Sequence, residues 1–151
     1  MTAYEKIRAC YGWLVKNVKY STAGTGVISI NIADITMESF DDFLMTVEAG
    51  IAFTEKKGVC DDFASAFTMM CRYIGVNAYL AHGQCRKSGG GYTGHTWTVI
   101  KAGGRIYQFD AMLDSSTAQR NGTDSSFLYF AREDGDSLYR NREIVKFNNY
   151  K

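Results

Sequence analysis

Cys60 stands between a glycine-led turn and the predicted first turn of a helix, in the stretch GVCDDFASAF at residues 58–67. Apolar side chains recur after it at helical spacing, at Phe63, Phe67, Met70 and Ile74. Gly75 follows where a C-cap glycine is expected, so the helix runs to about residue 74. A thiol reacts as its thiolate, and the unpaired amides of a helix N-terminus favour that charged form. Cys60 is therefore a candidate nucleophile.

A histidine partner activates a thiol further, and the chain has two histidines, His82 and His95. A predicted hairpin favours His95, because it places this histidine near an aspartate. With a two-residue turn at residues 103–104, Trp97 faces Asp110, and His95 lies two residues along on the same face. His95 and Asp110 are then diagonal neighbours, about 7–8 Å apart between backbones, and their side chains can meet. A three-residue loop without a bulge would instead put them on opposite faces.

A carboxylate that binds one imidazole nitrogen fixes the ring's tautomer and orientation, which leaves the other nitrogen to take the thiol proton. We therefore assign Cys60 as nucleophile, His95 as general base and acid, and Asp110 as the orienting carboxylate. The alternative is a buried cysteine, a hydrogen-bonded histidine and a surface aspartate. Residue types and spacing alone leave both interpretations open.

Helices are predicted ahead of the sheet. Apolar residues at helical spacing predict an amphipathic helix at 3–19 and a second one at about 39–55. The second has Asp41 and Asp42 in its first turn, where the helix dipole favours acidic side chains. Residues 20–36, between the two helices, are predicted to form a loop followed by an extended or weak strand segment.

Strands are predicted after the nucleophile helix. Alternating patterns place them at 77–83, 95–101 and 105–111, with a loop at 88–94. Further on, the patterns predict a surface loop at 115–126, a last strand at 127–130 and a polar, weakly patterned tail at 133–151. Helices followed by antiparallel strands predict an α+β fold in which the nucleophile helix packs on an antiparallel sheet.

Composition narrows the function classes. The chain has 151 residues, 46% of them hydrophobic, which is enough for one core and predicts a single domain over 1–151. A formal net charge of +1 gives no reason to expect a nucleic-acid partner, and no apolar run reaches the roughly 18 residues of a membrane span. His82 and Cys85 could form half of a zinc site, but no second pair follows, so neither a metal nor a cofactor is predicted.

Three motifs together resemble a known family. The stretches GVCDDFASAFTMMCRYIGVNAYLAHG and GHTWTVIKAGGRIYQFDAML are similar to the transglutaminase-like core domain of the papain-like cysteine enzymes. The shared pattern is a Gly-x-Cys helix that ends in an Ile-Gly step, then His-x-Trp on a strand, then an aspartate ending the next strand. The opening helix YEKIRACYGWLVKNVKY also resembles the family's N-terminal helix, and the resemblance covers residues 4–114.

The resemblance implies a papain-like fold and the triad Cys60, His95 and Asp110. It also implies acyl transfer to an amine, or to water as in a protease or amidase, on a protein or peptide substrate such as a glutamine amide. The alternative is a catalytically idle module that binds a protein or cell-wall partner. The resemblance further implies a bacterial protein in an extracellular or envelope setting, of which this chain could be a piece.

Two features depart from the pattern. Asp61 and Asp62 follow the nucleophile directly, and a carboxylate that points toward the thiol would oppose its ionisation. Acyl transfer also needs two donors for the oxyanion, and the amide of Cys60 is the natural first one. The second is not identifiable, because the papain-type glutamine is replaced by Thr54; the candidate side chains are those of Tyr20 and Trp13.

Overall fold

A computed structural model describes residues 1–22 and 37–147 of the chain. Within these ranges lie four α-helices, seven strands and one 3₁₀-helix. The weak strand predicted within 20–36 falls almost wholly outside the described residues. No helix of the described part is long and apolar enough to cross a membrane.

Three helices precede the main sheet, as predicted. They are α1 (Ala3–Asn17), α2 (Met37–Glu55) and α3 (Cys60–Tyr73). The first begins at a capping box: the Thr2 hydroxyl accepts from the Glu5 amide at 3.2 Å, and the Glu5 carboxylate accepts from the Thr2 amide at 2.6 Å. The third ends where Gly75 takes a φ of +84°, which glycine adopts without steric cost.

Five antiparallel strands form the main sheet, in the order β6-β5-β4-β3-β7. They are β3 (Ala78–Arg86), β4 (Tyr92–Ala102), β5 (Arg105–Phe109), β6 (Arg132–Glu133) and β7 (Arg142–Phe147). Two further strands, β1 (Lys19–Tyr20) and β2 (Lys57–Gly58), pair in parallel. Helices followed by an antiparallel sheet confirm the predicted α+β class.

Buried side chains lie on both faces of the sheet. On one face an aromatic cluster joins it to α1 and α3 through Tyr11, Phe67, Phe109 and Phe130. Hydrogen bonds also dock α3 on β4, because the Thr98 hydroxyl donates to the Ala64 carbonyl at 3.2 Å and meets the Thr68 hydroxyl at 3.0 Å. The opposite face holds a second cluster, which includes Ala81, Trp97, Val99 and Tyr139.

The surface loop predicted at 115–126 is wrong over residues 115–120, although residues 121–126 do form an irregular, mostly exposed segment. Residues Ala111–Arg120 form helix α4, which packs against α1 with Ser115 and Ala118 fully buried. The small, polar side chains that suggested a loop instead allow close packing, and the Ser115 hydroxyl donates to the Val18 carbonyl at 2.7 Å. Polar composition was misleading here because each buried polar group has a partner.

Beyond α4, one prediction is wrong and the tail holds more regular structure than its pattern indicated. Residues 127–130 form a turn rather than a strand. This turn is held by the buried Asp114 carboxylate, which accepts from the Leu128 and Tyr129 amides at 2.9 Å each. The polar tail at 133–151, predicted to be weakly patterned, contributes the end of β6, a 3₁₀-helix at Ser137–Tyr139, and β7.

Candidate active site

Cys60 is the first residue of α3, and the chain before it is tightly packed. The Asp62 carboxylate folds back and accepts from the Val59 amide at 2.9 Å. A side chain at Gly58 would place its Cβ 2.6 Å from the Asp62 Cβ. Glycine therefore precedes the cysteine by two residues because the capping aspartate occupies the space of a side chain.

Asp61 turns toward the helix-facing side of the sheet. Its carboxylate accepts from the Thr96 hydroxyl at 2.5 Å. Because successive side chains of a strand point to opposite faces, Thr96 lies on the face opposite to that of His95. The Asp61 carboxylate is thus bound to the neutral hydroxyl of Thr96, on the face of the sheet opposite to His95.

His95 and Asp110 meet as the hairpin predicted. Strands β4 and β5 pair Thr98 with Phe109 and Ala102 with Arg105, which is the register of the two-residue turn. The His95 Nε2 lies 2.6 Å from the Asp110 Oδ2. Asp110 is 2% exposed and also caps α4, since its Oδ1 accepts from the Leu113 amide at 3.2 Å.

Burial and hydrogen bonding shift the pKa values of His95 and Asp110 in opposite directions. Burial lowers the pKa of His95, but hydrogen bonds to Asp110 and to Cys60, with the charges of both, raise it to about 9. Burial raises the pKa of Asp110, while the hydrogen bond and charge of His95 and the charge of Arg142 bring it below its usual range. The hydrogen bond and the opposite charges of the pair therefore favour an imidazolium beside a carboxylate.

An open cavity of about 410 Å³ lies over these groups, lined among others by Tyr20, Cys60, Cys85, His95 and Tyr129. Pairing of β1 with β2 places Tyr20 beside Gly58, two residues before Cys60. Of the two side chains considered as oxyanion donors, only that of Tyr20 reaches this cavity. Trp13 instead packs on Phe53, with their ring centroids 6.0 Å apart.

Trp97 supports the imidazole, as its position in the motif suggests. Its ring stacks on that of His95, with 5.9 Å between centroids and 23° between planes. The indole nitrogen donates to the Gln108 Oε1 at 2.8 Å, so the buried N–H has a partner. Trp97 is 1% exposed and therefore excludes water from one side of the His95 ring.

The other cysteines differ from Cys60 in environment. Cys71, in the same helix, is fully buried, and burial raises its pKa far above the ordinary value. Cys85 lies in the cavity with Cys60, and burial raises its pKa too. All four thiols are free. Within the described ranges, no group of three or more His, Cys, Asp or Glu side chains could hold a metal ion.

Two residues that contribute to this site were not predicted from the sequence. Arg142 binds Asp110 from strand β7, and Asp114 holds the turn whose Tyr129 carbonyl accepts from the Asp110 amide at 3.3 Å. The apolar residues Ile144, Val145 and Phe147 were the local sign of a strand in the tail. No local pattern marks Asp114 as a buried acceptor.

Comparison with known proteins decides the family. The family model described as the transglutaminase-like superfamily matches residues 1–111, about three quarters of the chain. The chain belongs to the transglutaminase-like superfamily. Its transglutaminase-like domain therefore has the general character of a papain-like cysteine enzyme, and the resemblance of its three motifs is confirmed at that level.

One solved structure similar to this transglutaminase-like domain is that of a candidate cysteine protease from Cytophaga hutchinsonii. The two share 24% sequence identity with a TM-score of 0.47. The match covers 72% of this chain and 31% of the other, so the chain spans less than a third of that protein's length. No curated protein matches the chain.

Proposed function

We propose that this domain catalyses acyl transfer or amide hydrolysis through a thioester on Cys60, with His95 as general acid and base and Asp110 as the residue that orients His95. One observation carries the proposal. The His95 imidazole is hydrogen-bonded to Asp110 and lines the same open cavity as Cys60, which lies at the N-terminus of α3. Both the helix end and the imidazolium favour a thiolate.

The chemistry then follows from the groups present. The Cys60 sulfur attacks the carbon of a carboxamide, a C–S bond forms, and the carbonyl electrons move onto oxygen. His95 donates its proton to the leaving nitrogen as the C–N bond breaks, which leaves a thioester. An amine or a water attacks the thioester while His95 takes its proton, and the thiolate is released. Asp110 keeps the imidazole in one orientation throughout.

The substrate follows from this chemistry and from the cavity. An amide-bearing protein or peptide, such as one with a glutamine side chain, supplies both the carbon that is attacked and an amine leaving group. The C. hutchinsonii protein is called a candidate cysteine protease, which favours testing water as an acceptor beside primary amines. The triad is the same for both acceptors, so loops and cavity shape decide between them.

Tyr20 supplies the second oxyanion donor in this proposal. Tyr20 lines the same cavity as Cys60, and its backbone pairs with Gly58. A Tyr20→Phe variant is expected to lower kcat by about 10- to 100-fold, because one neutral donor to the developing oxyanion is lost. KM and Tm should stay close to wild type, since Tyr20 is 43% exposed.

Steady-state kinetics of the Tyr20→Phe variant measure this loss. Tyr73→Phe is the matched control, because that ring is 93% exposed and lies at the far end of α3. An unchanged kcat in Tyr20→Phe would mean that the second donor is another group.

Alkylation tests the proposed function before any substrate is known. Iodoacetamide should label Cys60 fast down to about pH 7 or below in wild type, while His95→Ala should lose that fast reaction at neutral pH. Cys85 is the internal reference, because it shares the cavity but burial raises its pKa. Mass spectrometry resolves the two labelled peptides.

Equal rates at Cys60 and Cys85 would contradict the nucleophile assignment. The same holds if His95→Ala leaves the Cys60 rate unchanged. The domain would then be treated as a binding module with an idle triad.

A further inference from the structure

Arg142 lies beyond the residues of the family match, yet it contacts the centre of the candidate active site. Strand β7 pairs with β3 and sets Arg142 opposite Cys85. The Arg142 Nη2 lies 2.8 Å from the Asp110 Oδ2, the same oxygen that meets the His95 Nε2. The two side chains are only 4% and 1% exposed, so solvent screens their charges little.

Aromatic rings surround the rest of the guanidinium. Its central carbon lies 4.9 Å from the ring centroid of Trp97 and 4.3 Å from that of Tyr139. The buried Nε and Nη1 atoms have no hydrogen-bond partner among the described residues. The rings hold the cation by its faces and leave Asp110 as its anionic contact.

A buried carboxylate needs a compensating positive charge. If His95 were the only cation near Asp110, releasing its proton would leave the carboxylate buried and unpaired. The proposed reaction requires that release and return in every cycle. A second, permanent cation removes the conflict, since an arginine does not deprotonate in proteins.

We propose that Arg142 is a positioning residue: its guanidinium is the permanent partner of Asp110, which allows His95 to lose and regain a proton during turnover. The inference rests on the proposed function, because Arg142 can have this role only if His95 transfers protons. Arg142 acts through Asp110 and His95 and needs no contact with substrate.

Among the described residues, six ionisable groups face the region around Arg142, and each bears on a titration of His95. They are His95, Cys60, Asp110, Cys85, Tyr129 and Tyr139. Burial raises the pKa of Cys85 and that of Tyr139, so both are neutral near pH 7. The charges that change or balance there are those of Cys60, His95, Asp110 and Arg142.

Histidine NMR tests the inference directly, because the full chain has only His82 and His95. A His82→Gln variant assigns the two sets of imidazole signals. In Arg142→Gln, the midpoint of the His95 titration should rise by about one unit or more, because the proton is held tenfold or more tightly once Asp110 lacks its permanent cation. Arg142→Lys keeps a positive charge but loses the planar group that stacks on the rings, so its midpoint should rise by less than one unit.

Kinetics give a second readout. In Arg142→Gln, kcat should fall by about tenfold or more with KM unchanged, and lysine should restore most of it. Arg140→Gln is the matched control, since Arg140 is exposed and lies two positions away on the chain. A purely structural arginine would lower Tm in both Arg142 variants without moving the His95 midpoint.

The outcomes separate this inference from the function on which it rests. A wild-type His95 midpoint near 6.5 would overturn the proposed thiolate–imidazolium pair itself. A wild-type midpoint near 9 that stays in place in Arg142→Gln would overturn only the role of Arg142. If the glutamine variant does not fold, the lysine variant still decides, because a large shift with the charge retained contradicts the proposal.

Discussion

Replacing Cys60 with alanine is expected to abolish turnover, with a fall of about 10⁴-fold or more. The variant has no thiol to form the covalent intermediate, and binding and the oxyanion donors alone retain only a small residual rate. Stability should change little, because the Cys60 side chain is only half-buried and lines an open cavity.

The assay incubates an amide-bearing peptide, such as one containing glutamine, with and without a primary amine. Wild type should show a thioester adduct on the Cys60 peptide, then an amine-coupled or hydrolysed product, and the alanine variant should show neither. Cys85→Ala is the matched control, because it removes a thiol from the same cavity and should keep most of the activity. Full turnover by Cys60→Ala would place the nucleophile elsewhere.

Asp110→Asn is expected to lower both turnover and stability. Turnover should fall by about 10²- to 10⁴-fold, because an amide cannot fix the imidazole and stabilise its charged form. The free energy of unfolding at pH 7 should fall by about 3–5 kcal/mol, since Arg142 is left buried without an anion. Asparagine can still cap α4, so loss of the cap adds little.

The stability difference between wild type and Asp110→Asn should depend on pH, and its direction follows from the pKa of Asp110. The pKa of Asp110 is lower in the folded state than in the unfolded chain, so the carboxylate adds stability above about pH 4 and loses it as pH falls through the folded pKa. The gap between wild type and Asp110→Asn should therefore narrow in acid. For His95 the pKa is raised to about 9, so its contribution is complete below about 6.5 and is lost as pH rises through 9.

Denaturant unfolding at pH 7 and at lower pH measures these differences. A second replacement, Arg142→Met, made in the Asp110→Asn background should recover much of the stability, because the unpaired charge is removed, but none of the turnover. Asp124→Asn is the control on a surface carboxylate, 64% exposed, and should change stability by less than about 0.5 kcal/mol. A small loss in Asp110→Asn and no recovery in the double variant would contradict a buried ion pair.

The hairpin and the nucleophile helix could be predicted from the sequence because their signals are local. The glycine pair at residues 103–104 sets a two-residue turn, and that turn alone sets which residues of β4 and β5 face each other. Helical spacing after Cys60 and the glycine at the helix end mark both ends of α3. These features brought His95 and Asp110 together and set Cys60 at a helix N-terminus.

The predictions for residues 115–120 and 127–130 were wrong, because local signals there conflict with tertiary packing. Half of helix α4 is Ala, Ser and Thr; exposed serine and threonine are typical of loops, but these small side chains pack closely when buried. The turn at 127–130 has the apolar, aromatic composition of a strand, yet the Asp114 carboxylate binds its amides. In both segments a buried polar partner from elsewhere in the chain overrides local preference.

The sequence by itself determined the family, the α+β class, the hairpin register and the three candidate residues of the triad. Only the tertiary structure decided what surrounds them. Arg142 reaches Asp110 because β7 pairs with β3, and Tyr20 reaches the cavity because β1 pairs in parallel with β2. Each of these pairings joins residues far apart in the chain, and their strength comes from hydrogen bonds and burial that no local pattern encodes.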